Sequence, residues 1–259
     1  MGALFYSVIA WRAGYFRRRP AHLAQAVAAG GFLALHLWWW IASLQLTSVA
    51  VSLLLLNVSP LWVTLLEAAL TRKVPRARQL GAVLMGIAGC GFLAWGERDK
   101  GADSALGLIL AMSSGLAIAC YLVAGRRARQ EMPLSQYVSV NYLSASALLL
   151  FVMAFSRGAW HPMPLASYGW LLAMALLPQI VGHTTVNWSL RFMPSNQVSL
   201  FLLLEPLIAG VAAYFLFAER LSIWAAPAAV LVVGSVLLST TSPEPVDADA
   251  RLTNDSSES

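Results

Sequence analysis

Residues 199–220 read SLFLLLEPLIAGVAAYFLFAER. The stretch is apolar except that Glu205 and Pro206 stand side by side near its middle. An intramembrane carboxylate is costly and usually functional. A proline inside a helix removes one N–H and clashes with the carbonyl four residues back, here that of Leu202. Placed together, the two residues mark a helix that is interrupted, and the surrounding sequence decides what the interruption serves.

The chain has 259 residues, of which 59% are hydrophobic and 11% charged. Its mean hydropathy is +0.68. Soluble domains carry roughly 25% charged residues. The apolar residues fall in blocks of about twenty, the length that crosses roughly 30 Å of hydrocarbon. In lipid every backbone polar group must be satisfied internally, so such blocks are helices. The alternating polarity of a membrane barrel is not seen. The reading is an all-α polytopic membrane protein with eight full spans, at about 22–44, 49–70, 79–95, 105–124, 135–155, 166–189, 197–217 and 222–240.

The sequence pI of 9.6 invites a nucleic-acid partner. The basic residues instead sit in short clusters between apolar blocks, which loop charge explains better. Arg12, Arg17, Arg18 and Arg19 precede the first span. Arg72, Lys73, Arg76 and Arg78 follow the second, and Arg126, Arg127 and Arg129 follow the fourth. Arg191 follows the sixth and Arg251 lies in the tail. These are thirteen of the seventeen Lys and Arg residues. Arg98, Lys100, Arg157 and Arg220 fall on the other side. The bias predicts a multi-pass protein of the plasma (bacterial inner) membrane with the first group, and the C-terminus, in the cytoplasm. Residues 241–259 are polar and acidic and read as a disordered tail. Trp160 and Trp170 fall where an interfacial belt would sit.

Residues 1–11, MGALFYSVIAW, are apolar over roughly 16 Å of helix, about half a bilayer. Positive charges follow this stretch instead of preceding it, unlike a signal peptide. It reads as the back half of a span. Cys90 and Cys120 lie inside apolar blocks, with neither a disulfide framework nor CxxC spacing, and read as small packing residues.

The chain aligns with itself at a shift of 146 residues without a gap. Identities include Ser43/Ser189, Leu54/Leu200, Pro60/Pro206 and Leu61/Leu207. Leu matches between Leu-rich spans carry little weight; the paired mid-span prolines are informative. The shift maps the first three spans onto the sixth, seventh and eighth. Partners are five spans apart and so cross the membrane in opposite senses. Inverted repeats with interrupted helices at matching positions are a signature of secondary transporters. The competing reading is two prolines kinking two unrelated helices.

Several polar residues within spans are candidates for substrate binding or coupling. A desolvated carboxyl favours its neutral form, so Glu205 is either a proton-carrying group or a pin bonded to the carbonyl that Pro206 frees. In the first repeat Ser59 takes its place, with Asn57 nearby. Gln179, His183, Asn187 and Arg191 recur every fourth residue in the sixth span, which keeps successive members adjacent on a helix. Gln179 to Asn187 read as the lining of an aqueous path and Arg191 as a cytoplasmic anchor. His36, Trp40, Ser43 and Thr47 form a comparable stripe in the first span. A lone intramembrane histidine is more often a packing residue; facing stripes on repeat-related helices strengthen the functional reading. Glu67 reads as interfacial, and Glu219 with Arg220 as a loop turn. Gly81, Ala82, Gly86, Ala88 and Gly89 permit close helix packing and suit a scaffold or homodimer face.

The stretch LLEPLIAGVAAYFLFAERLSIWAAPAAVLVVGSVLL resembles the terminal motif of the EamA-type branch of the drug/metabolite transporter superfamily. NVSPLWVTLL and GAVLMGIAGCGFLAWG resemble its first-repeat counterparts, and GHTTVNWSLRFMPSNQVS the segment before the second motif. The resemblance covers roughly residues 1–240. It implies an inverted-repeat bundle of ten helices with both termini cytoplasmic. The eight spans match the family's third to tenth helices and residues 1–12 the end of its second. Residues 1–96 then form an incomplete first repeat and 104–240 the second. Lys73 stands where the family's first repeat usually has Glu, whereas Glu219 keeps it in the second. The missing helices favour a misplaced start codon or a fragment over a working eight-helix carrier.

The expected activity is alternating-access transport of a small polar, amino-acid-like or drug-like metabolite, outward across the membrane. The small-molecule substrate and the lipid bilayer are its partners, and protons are a candidate coupling ion. No cofactor is implied. GxSxG, HExxH, P-loop and GxGxxG signatures are absent in suitable contexts, which argues against an enzyme. A non-transporting scaffold is the main alternative.

Overall fold

A computed structural model describes residue 12 and residues 22–96, 104–155, 164–217 and 223–240. The N-terminal half span, the C-terminal tail, the charges at residues 17–19, 98, 100, 157, 220 and 251, and Trp160 and Glu219 lie outside the described residues.

All regular structure among the described residues is helical. In chain order the helices are α1 (Leu23–Ser43), α2 (Val49–Leu56), α3 (Ser59–Thr71), α4 (Ala77–Gly96), α5 (Ala105–Glu131) and α6 (Leu134–Phe155). Then come α7 (Leu165–Met174), a π-helical segment (Ala175–His183), α8 (Thr184–Ser189), α9 (Ser195–Leu202), α10 (Glu205–Phe217) and α11 (Ala225–Thr240). Two starts carry serine caps: Ser48 Oγ accepts from Val51 N at 3.3 Å and Ser104 Oγ from Gly107 N at 3.0 Å, each satisfying an N–H that the first turn leaves unpaired. Among the described residues seven stretches are long and apolar enough to cross a membrane. The last expected span is seen as the shorter apolar helix Ala225–Thr240.

Two elements differ from the sequence reading. The fourth span runs on to Glu131, so Arg126, Arg127 and Arg129 are on a helix and not in a loop. The sixth span is not one continuous α-helix. Nine of its residues are π-helical, with Pro178 inside. A proline cannot donate to the helical ladder, and wider π turns commonly sit where that ladder is disturbed.

The second and seventh spans are each broken in two. The halves are α2 and α3 in one, α9 and α10 in the other, and all four boundaries recur at a spacing of 146 residues. The hydrogen bonding at the breaks recurs too. Val58 N donates to Leu55 O at 3.3 Å, and Leu204 N to Phe201 O at 3.1 Å. Both are tight i→i−3 bonds of the kind that close a helix end. Pro60 and Pro206 are then the second residues of α3 and α10. At that position the missing N–H is one the helix would leave unpaired anyway.

α5 is the hub. It packs against α1, α2, α3 and α9, and Ala119, Tyr121 and Leu122 on it are fully buried. One apolar core joins α1, α5 and α6; a second joins α4, α9 and α11. Close approach depends on small residues. A Cβ on Gly30 would overlap Ser144 Oγ and the Asn141 carbonyl of α6. α1 thus rests on both α5 and α6. The sixth span meets α5 and α6 mainly through its last part, α8, where Thr184 and Asn187 are buried, and residues 167–183 before it include no buried one.

Candidate functional site

Polar side chains of the first span are buried against α5. His36 is 6% exposed. Ser114 Oγ lies 2.9 Å from its Nδ1 and also donates to His36 O at 2.9 Å. The imidazole stacks on Trp40 at 6.3 Å between centroids, while the Trp40 indole N–H is buried without a partner among the described residues. Ser43, wholly buried, donates to Trp40 O at 2.7 Å and lies 2.6 Å from Ser52 Oγ of α2. These contacts fix the first span to the fourth and to the first half of the second.

Gln179, His183 and Asn187 meet tyrosines. Tyr142 of α6 donates to Gln179 O at 2.9 Å and lies 3.1 Å from Thr184 Oγ1. Its hydroxyl thereby occupies a carbonyl within the π-helical segment, where the regular ladder is disturbed. His183 meets the edge of Tyr121 at 6.2 Å between centroids and lies within electrostatic range of His36. Tyr121 of α5 donates to Asn187 Oδ1 at 2.5 Å. The π turns break the spacing of four, so Gln179, His183 and Asn187 do not form the straight stripe read from sequence. Asn187 is fully buried, whereas Gln179 and His183 are half-buried. Arg191, expected as an anchor, is exposed.

At the helix breaks the two repeats differ. Asn57 ends α2 and is 8% exposed; Ser59 opens α3 and is 5% exposed. Glu205 opens α10 and is exposed. It makes no side-chain hydrogen bond to a described residue, so the pin to the Leu202 carbonyl is not seen.

Sequence reasoning missed Arg129, Tyr121, Tyr137, Asn141 and Tyr142. Arg129 stands among the loop charges in sequence, yet it is 1% exposed. Its Nε donates to Asn187 O at 2.9 Å and its Nη1 to Met132 O. The polar run SQYVSVNYLSAS at 135–146 was the available signal for the α6 residues. No cluster of three or more histidine, cysteine or acidic residues able to hold a metal exists among the described residues.

Buried polar groups thus lie between apolar helices, some of which are broken. Residues 105–241, more than half of the chain, match the EamA-like transporter family. The chain belongs to that family. This EamA-like protein, within the drug/metabolite transporter superfamily, is a multi-pass membrane transporter. It is 26% identical over 222 residues to an uncharacterized transporter of Archaeoglobus fulgidus, spanning 85% of this chain and 77% of that one. Its fold is similar to that of a chain in a crystal structure, with a TM-score of 0.66 and 19% identity over 93% of this chain and 94% of the other.

Proposed function

We propose that the protein is a secondary carrier that moves a small polar metabolite outward across the plasma membrane by alternating access. The two moving parts are inverted repeats, one over residues 1–96 and a second over 104–240. The observation that carries this reading is the recurrence of both helix breaks, with their closing hydrogen bonds, at one spacing. Broken helices at matching positions of two repeats place polar backbone beside a midplane cavity. The candidate lining is His36, Trp40, Ser43, Asn57 and Ser59 on one side and Gln179, His183, Asn187 and Glu205 on the other. Glu205 is the candidate proton-coupling group. The bias of arginine and lysine toward one side supports a cytoplasmic C-terminus.

An untargeted metabolite comparison of cells with and without the gene tests the reading, followed by flux of the responding solute in proteoliposomes. Accumulation of a solute inside cells lacking the gene is expected. Identical metabolite profiles would count against a carrier.

A further inference from the structure

Arg129 ranks among the largest fully buried side chains in the bundle. Two of its donors go to neutral carbonyls, those of Asn187 and Met132. The described carboxylates are Glu67, Glu131 and Glu205, and none of them forms an ion pair with it. A buried guanidinium without a counter-charge is strongly disfavoured. Beside it lies a second unmet need. Asn187 is fully buried, its Oδ1 takes the Tyr121 hydroxyl, and its Nδ2 has no partner among the described residues. Arg191, four residues further on and exposed, lies within electrostatic range of Arg129. The cluster therefore offers donors and positive charge, reaching from a buried guanidinium to an exposed one, and among the described residues lacks an anionic acceptor.

We propose that Arg129, Asn187 Nδ2 and Arg191 form a binding site for the carboxylate of a small solute. The inference rests on the carrier reading and names the substrate class: the cargo carries a carboxylate. Guanidinium binds a carboxylate through parallel, charge-assisted hydrogen bonds that are stronger than bonds to neutral carbonyls. An arriving carboxylate thus competes for Arg129 with the Asn187 and Met132 carbonyls. Because the Asn187 carbonyl ties the fourth span to the sixth, solute binding loosens that tie. Arg126 and Arg127, on the same end of α5, add to the positive field that draws an anion in.

The test uses the purified full chain in detergent, with acetate replacing chloride at constant sodium. The expected result is a saturable rise in melting temperature, on the order of 3 °C well above the dissociation constant. The rise should vanish in Arg129→Gln and persist in Arg127→Gln. Asn187→Asp guards against a misfolded Arg129 variant. It supplies an internal carboxylate, so its melting temperature should be raised without acetate and should no longer respond to it. No acetate response in the wild type, or one that survives Arg129→Gln, overturns the site. A shift with dihexanoyl phosphatidylglycerol but not with acetate overturns the solute as ligand. If acetate fails while proteoliposome flux persists, the carrier reading stands and this inference falls. Acetate binding with no flux of any metabolite supports the site and removes the carrier reading.

Discussion

Ser59 and Glu205 open the second halves of two broken helices, 146 residues apart, yet Ser59 is 5% exposed and Glu205 is exposed. The backbone is nearly the same at both places, so the difference lies in the side chain and its surroundings. An exposed carboxyl at one break, against a buried hydroxyl at the other, gives the two halves different chemistry around a shared architecture.

That asymmetry makes a functional prediction. Glu205→Gln keeps size and hydrogen bonding but removes the titratable proton. In proteoliposomes it should abolish the response of solute flux to an imposed pH gradient while leaving downhill flux in place. Ser59→Ala should keep the gradient response. Flux that ignores the gradient in the wild type would sink proton coupling.

The prolines should matter less to stability than their place in an apolar span implies. Pro60 and Pro206 lie in the first turn of α3 and α10, where no helical N–H bond is lost. Each Pro→Ala change should cost less than about 1 kcal/mol, against roughly 3 kcal/mol for a proline in a helix interior. Thermal melts of the purified variants measure this.

Gly30 and Gly31 form a matched pair. A Cβ at Gly30 would overlap the α6 backbone, whereas at Gly31 it meets nothing within 4 Å. Gly30→Ala should destabilise by about 1–3 kcal/mol through overpacking. Gly31→Ala should stay within about 0.5 kcal/mol of the wild type. Equal melting temperatures for the two variants would show that α1 and α6 are not in close contact.

The Tyr121 hydroxyl should hold the sixth span. Interhelical hydrogen bonds in membranes average about 0.6 kcal/mol, and a stranded buried acceptor adds to that. Tyr121→Phe should therefore cost about 1 kcal/mol. In a double-mutant cycle with Asn187→Ala, denaturation in mixed micelles should show a coupling above about 0.5 kcal/mol. Additive effects would mean that the two side chains do not share a bond.

The local features were legible in the chain. Apolar blocks announced the helices, because lipid leaves the backbone no other solution. The shift of 146 residues marked both helix breaks, because proline acts on its own turn. The candidate residues on the first span are buried or half-buried as a group, with His36 and Ser43 tied to α5 and α2. The sixth-span stripe is not straight, since a spacing of four assumes α-helical turns and the segment from Ala175 to His183 has π-helical ones.

Sequence by itself determined the class of the protein, the positions of its helix breaks and the register of its two halves, because each depends on composition or on neighbouring residues. Tertiary structure decided which polar groups are buried and with whom. Arg129 looks like Arg126 and Arg127 in sequence, and only the packing of α5 against the sixth span encloses it beside Asn187. Burial depends on which faces meet, and a single helix does not carry that information.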